Sequence, residues 1–114
     1  MFIGRVIGTV WATRKDERLD GLKLQIVREV GLNLEPTNKF VIAADVVQAG
    51  MGEIVLVSTG SAARQSPLVE KRPVDALIMA VIDNLEFKGD QELQAAYVAR
   101  RDPILRSLEA QPEL

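Results

Sequence analysis

The sequence predicts a mainly β fold: a small five-stranded barrel with a short helical turn before the last strand and a C-terminal helical extension. Three observations predict it. Short apolar segments recur at regular spacing between turn residues. The stretch Gly60-Ser61-Ala62-Ala63-Arg64 breaks strand character just ahead of the last of them. From residue 90 onward glycine disappears, and Glu, Gln, Ala, Leu and Arg, all fair helix formers, take over.

The first strand is predicted over residues 2–12. Strand periodicity puts Phe2, Val6 and Val10 on one face with Gly4 and Gly8, and Ile3, Ile7 and Trp11 on the other. Glycines two pleats apart on one side imply strong coiling or a close backbone approach. A charged loop follows, including Arg14-Lys15-Asp16-Glu17-Arg18 and ending on the turn signal Asp20-Gly21. Residues 22–27 alternate, with Leu22, Leu24 and Ile26 set against Lys23, Gln25 and Val27. Pro36 and Asn38 mark a loop over 31–38, and residues 40–44 form a short apolar strand. The connection over 45–52 is built on Gly50 and Gly52 as turn-forming residues, and the next strand covers 53–58. Ser61 is placed to cap one helical turn. The fifth strand covers 76–84. In the tail, Leu93, Tyr97, Ile104 and Leu108 lie near one helical face over 90–108. Pro103 is expected to kink that helix or to start a second one capped by Asp102. The division is a barrel domain at 1–85 and an extension at 86–114.

The fifth strand carries a further expectation. Ala76-Leu77-Ile78-Met79-Ala80-Val81-Ile82 is apolar on both faces, whereas a strand with one wet face alternates. One small domain is not expected to cover both faces, so another copy of the chain should. The expected subunit interface comprises Ile3, Ile7, Ile78, Val81 and Ile82.

Composition narrows the chemistry. The 114 residues fit one domain with a modest core. Net charge is only -2, which gives no electrostatic pull toward nucleic acid or an acidic membrane surface. There is no cysteine and no histidine, so disulfides, thiolate chemistry and the commonest general base and metal ligand are missing. No secretory leader and no membrane-length apolar run is visible, which predicts a cytoplasmic protein. Asp45, Glu53, Asp75 and Asp83 sit at strand ends and turns, where acids shape turns or face solvent. Ser61 follows a glycine but has no histidine partner for nucleophilic catalysis. Gly50-Met51-Gly52 leads into a strand and lacks the lysine of a phosphate loop. No catalytic residue, metal site or cofactor is expected. The barrel is OB-like, and one alternative function is binding a small ligand or single-stranded nucleic acid. Yet Phe2, Trp11, Phe40, Phe87 and Tyr97 are scattered rather than gathered into a stacking surface beside basic residues.

Several segments, in this order, carry a resemblance: Gly4-Arg5-Val6-Ile7-Gly8-Thr9-Val10-Trp11-Ala12-Thr13, Gly21-Leu22-Lys23-Leu24, Ala49-Gly50-Met51-Gly52-Glu53, Gly60-Ser61-Ala62-Ala63-Arg64, and Pro73-Val74-Asp75-Ala76 through Val81-Ile82-Asp83. Over residues 1–85 the chain resembles the ethanolamine-utilisation and carboxysome vertex-protein family, the pentameric shell proteins of bacterial microcompartments. The resemblance implies a structural, non-enzymatic homopentamer at the corners of a cytoplasmic shell whose facets are hexameric shell proteins. It also implies that Gly60, Ser61, Ala62, Ala63 and Arg64 lie at the fivefold axis around a narrow pore. Residues beyond 85 fall outside it.

Overall fold

The computed structural model describes residues 1–69 and 72–110. Five strands close into a barrel in the order β1-β2-β3-β5-β4. They are β1 (Phe2–Thr9), β2 (Lys23–Val30), β3 (Pro36–Asp45), β4 (Ile54–Thr59) and β5 (Ala76–Val81). The short helix α1 (Gly60–Arg64) precedes β5, and α2 (Gln91–Glu109) follows it. All strand pairs are antiparallel except β3 with β5. β3 starts earlier than the sequence suggests, because Pro36 occupies its first position, where no ladder donor is needed.

The barrel interior is filled by Val6, Val27, Ala43, Val55, Val57, Ala76 and Ile78, with Phe2, Val41 and Val81 packed against them. On β2 the inward pair is Gln25 and Val27, not the leucine row that alternation favours. Gln25 is tolerated in the interior because both polar atoms of its side chain are hydrogen-bonded. Its Oε1 accepts from Thr9 Oγ1 at 2.7 Å, and its Nε2 donates to Asp45 Oδ2 at 3.2 Å and to the Ala49 carbonyl at 3.1 Å. Asp45 in turn accepts from the backbone N–H groups of Val47 and Ala49, which fixes the corner after β3. Gln25→Leu keeps the volume and strands these partners. It is expected to lower stability by about 2 kcal/mol, read as a lower urea midpoint at unchanged slope.

β1 contains an irregularity between Val6 and Gly8 in its pairing with β2. Gly4 and Gly8 therefore do not share a face. A Cβ at Gly4 would meet Val27 Cγ1 and the Arg28 carbonyl oxygen, whereas one at Gly8 would meet the tip of Ile26. The bulge shifts the side-chain alternation by one residue.

The first half of β5 finds cover on both faces within the chain itself, contrary to the expectation from sequence, whereas Met79 stays 46% exposed. Ala76 and Ile78 point into the barrel, while Leu77 joins Ala63, Val69 and Val74 in a second cluster outside it. Ala63, Val69 and Val74, all from between β4 and β5, thus cover the outer face at Leu77. Sequence spacing cannot show that a loop returns in this way.

The tail also packs on its own chain. Asp90 caps α2 by accepting from Leu93 N at 3.0 Å. Tyr97 is buried with Val30 and Leu34, and Ile3, Ile54, Phe87, Val98 and Ile104 pack around them. The Tyr97 hydroxyl accepts from Leu85 N at 3.0 Å and donates to Asn84 Oδ1 at 3.2 Å. Its ring meets Phe87 edge-on, with centroids 5.6 Å apart. Leu34 reaches this cluster from a left-handed backbone, φ +67°, uncommon for a side chain of its kind. α2 runs through Pro103 without a second start. Pro103 has no N–H to offer the Ala99 carbonyl, and the Asp102 carboxylate accepts from Arg101 Nε instead of capping.

Candidate subunit interface and axial turn

The residues expected at a subunit interface separate into distinct environments. Ile78 is wholly enclosed in its own barrel, so it cannot face a neighbour. This corrects the expectation: inward pleating, not a partner, accounts for its burial. Ile3 packs against the Tyr97 cluster, and Val81 packs against the barrel core. Ile82 lines a cleft beneath α2 with Ile54, Tyr97 and Ile104. Ile7 alone among the five stays largely open, at 45% exposure.

Sequence reading missed two residues that share its surroundings, Phe40 and Ile42, both more than half exposed. Ile42 pairs with Ile26 across β2 and β3, and Ile26 lies against Gly8. Phe40 is the cross-strand partner of Arg28, whose guanidinium carbon sits 5.2 Å from the ring centroid. Ile7, Phe40 and Ile42 thus leave the β1–β2–β3 wall with uncovered apolar side chains. Their only sequence signal was an apolar residue at each outward pleat, which resembles core patterning until the pleat direction is known.

The Gly60–Arg64 turn is held at the end of the barrel between β4 and β5. Gly60 takes φ +63°, and its N–H donates to the Asp75 carbonyl at 2.7 Å. The cap position belongs to Thr59, without a side-chain bond, so Ser61 does not cap the helix. Gly60, Ser61 and Ala62 are exposed. Ala63 points back into the second cluster and is fully buried, so its side chain is not available to an axis. The Arg64 side chain lies outside the described atoms.

Gly52, at φ +86°, turns the chain into β4. Its N–H donates to the Val6 carbonyl at 2.8 Å, and its carbonyl accepts from Arg5 Nε at 2.9 Å. The Gly50 N–H donates to Glu53 Oε1. This turn is closed by its own carboxylate and offers no cradle to an anion. No cluster of three or more potential metal-binding side chains exists among the described residues. None of the described helices is long and apolar enough to cross a membrane. Among the described residues one carboxylate has a strongly altered affinity for protons. Asp16 is held down to a pKa of about 2 by the Arg18 side chain and then by the Arg18 backbone N–H. The Arg18 Nη2 to Asp16 Oδ2 distance is 2.8 Å, and the pair sits in an exposed loop. It shapes that loop and marks no reactive centre.

The family described as "Ethanolamine utilisation protein EutN/carboxysome" matches residues 1–83. This chain belongs to that family. The microcompartment shell vertex protein GrpN of Rhodospirillum rubrum is 43% identical over 86 residues, which cover 75% of this chain and 97% of GrpN. The carboxysome shell vertex protein CcmL of Gloeobacter violaceus is 47% identical over 88 residues, covering 75% and 85% of the two chains. Among solved structures, the pentameric GrpN superposes with a TM-score of 0.69 at 42% identity, covering 76% of this chain and all of that one. CcmL of Nostoc sp. gives 0.75 at 44% identity, covering 79% and 95%. The EutN/CcmL match ends before α2, so the helix and its Tyr97 anchor lie beyond the matched region. Family members are structural shell proteins by name.

Proposed function

We propose that this chain forms a homopentamer that closes the vertices of a bacterial microcompartment shell in the cytoplasm. The observation that carries this reading is the superposition of its closed barrel on the whole length of the pentameric GrpN. The uncovered side chains of Ile7, Phe40 and Ile42 support it, because a ring gives them a neighbour. Closed cyclic symmetry uses one patch against a different patch on the next copy, so this wall is one half of a head-to-tail contact. Hexameric shell proteins tile flat facets, and a fivefold piece among them introduces the curvature that closes a polyhedron. The function is therefore geometric, and no cofactor enters it.

Gly60, Ser61 and Ala62 form the axial turn in this reading. Every side chain at a fivefold axis meets four copies of itself, which favours glycine, serine and alanine. Ile7, with Val81 and Ile82 at the margin beneath α2, contributes apolar contact area. Native mass spectrometry at micromolar concentration is expected to show five copies. Ile7→Asp is expected to give a folded monomer, since the change adds a charge on an open surface while leaving the barrel interior intact. A monomeric wild-type protein, or a dimer with nothing larger, would overturn the reading.

A further inference from the structure

Arg5 and Arg28 are direct cross-strand partners on β1 and β2. Like charges placed opposite each other in a sheet repel. Neither has a carboxylate within ion-pair distance among the described residues. Each uses its Nε on a backbone carbonyl, Arg5 on Gly52 at 2.9 Å and Arg28 on Thr37 at 2.7 Å. Arg28 is further steadied over the Phe40 ring. These contacts hold both guanidinium planes and leave their terminal N–H groups unspent on any carboxylate of the barrel.

Both side chains open into one groove of about 470 Å³, whose walls include Ile7, Pro36 and Ile104. α2 contributes a third cation there, Arg100. Among the described residues its ion-pair partner is Glu35, at 3.8 Å in an exposed pair. α2 lies beyond the matched family region, so this third cation is a feature of the extension.

We propose that this groove receives a carboxylate from the adjacent copy of the chain in the ring, and that α2 helps to build the receiving notch. The inference rests on the pentameric reading. Charge complementarity selects a second copy as the occupant. The chain carries 16 acids against 14 bases, so a surface with three clustered arginines leaves the remainder more acidic than the average. Asp83, exposed and in no ion pair among the described residues, ends the β5 flank beside Ile54, the cross-strand partner of Arg5, whereas Asp75 lies at the opposite end beside Gly60; β5 is not a neighbour of β1 or β2 in the barrel. A head-to-tail contact is the arrangement that brings the Asp75 end of that flank to the arginine wall. The groove also adjoins Ile7 and Phe40, so the charge contact and the uncovered apolar side chains belong to one surface. Fixed guanidinium forks beside aromatic and aliphatic side chains are the usual anchors of protein interfaces.

The test compares the full-length chain with Arg28→Glu, Arg28→Lys and Arg100→Glu by sedimentation and native mass spectrometry across salt, with circular dichroism as the folding control. Arg28→Glu is expected to raise the concentration of half-assembly by at least about tenfold while the far-ultraviolet spectrum stays native. Arg28→Lys, which keeps the charge and loses the fork, should fall between it and wild type. Arg100→Glu should weaken the ring by a smaller factor, and 1 M NaCl should weaken the wild-type ring. A pentamer whose midpoint ignores salt and both Arg28 changes overturns the inference while leaving the pentameric reading standing. Inorganic phosphate binding to the groove with such an indifferent ring would also overturn it, in favour of a free anion. A wild-type chain that forms no ring overturns both.

Discussion

Ile78→Asp is expected to abolish the folded barrel, not merely to release a subunit from a ring. Ile78 is fully enclosed in the apolar cluster with Val27, Val57 and Ala76. An unpaired charge in such a place costs about 4 kcal/mol or more, a large share of the roughly 5–15 kcal/mol that holds a domain of this size. Protonating the aspartate reduces the penalty without removing it, because the neutral acid is still a polar group in an apolar cluster and leaves a poorly filled space. The measurements are circular dichroism, which should lose its β signature, and size exclusion, which should show expanded or aggregated chain. A well-folded monomer from Ile78→Asp would mean that the residue faces outward after all. The contrast with Ile7→Asp is sharp, since the two residues are both isoleucines on apolar strands and differ only in pleat direction.

That pair also shows what was legible in the sequence. The five strands, the turn before β5 and the tail helix follow from local apolar runs, turn residues and helix formers, each a short-range signal. What stayed hidden depends on contacts between distant segments. Ile78 and Leu77 both belong to apolar runs, yet their cover comes from opposite sides: the barrel lumen for one, and Ala63, Val69 and Val74 for the other. No periodicity within β5 reveals that the preceding loop folds back onto it. Gln25 reads as the polar half of an alternating strand, but three partners from β1, β3 and the following corner make its burial favourable. Phe40 and Ile42 belong to a short apolar strand in sequence, and only the pleat of β3 shows that both face outward. The helix that runs through Pro103 is held by tertiary packing of Tyr97 and Ile104, a term that outweighs the lost backbone bond.

Gly4 is the second position where a small change should have a large effect, and Gly8 supplies its control. Sequence periodicity gives these glycines one role, because they stand two pleats apart. The bulge after Val6 separates them. At Gly4, β1 is paired on both sides, to Glu29 of β2 and to Val55 of β4. A methyl group there would sit 2.9 Å from the Arg28 carbonyl oxygen and closer still to Val27 Cγ1. The carbonyl belongs to a hydrogen-bonded strand, and Val27 is buried in the core, so neither can withdraw without moving β2 away from β1. At Gly8 the obstacle is Ile26 Cδ1 at 3.2 Å, the free end of a half-buried side chain that can rotate aside. Gly4→Ala should therefore cost about 3 kcal/mol, at the upper end of overpacking penalties, and Gly4→Val should prevent folding. Gly8→Ala should change stability by less than about 1 kcal/mol, because reduced backbone freedom in the unfolded chain offsets a small local adjustment. Urea unfolding of the monomeric Ile7→Asp background would measure both without interference from assembly. Equal midpoints for Gly4→Ala and Gly8→Ala would show that β1 and β2 do not approach as closely as the barrel requires.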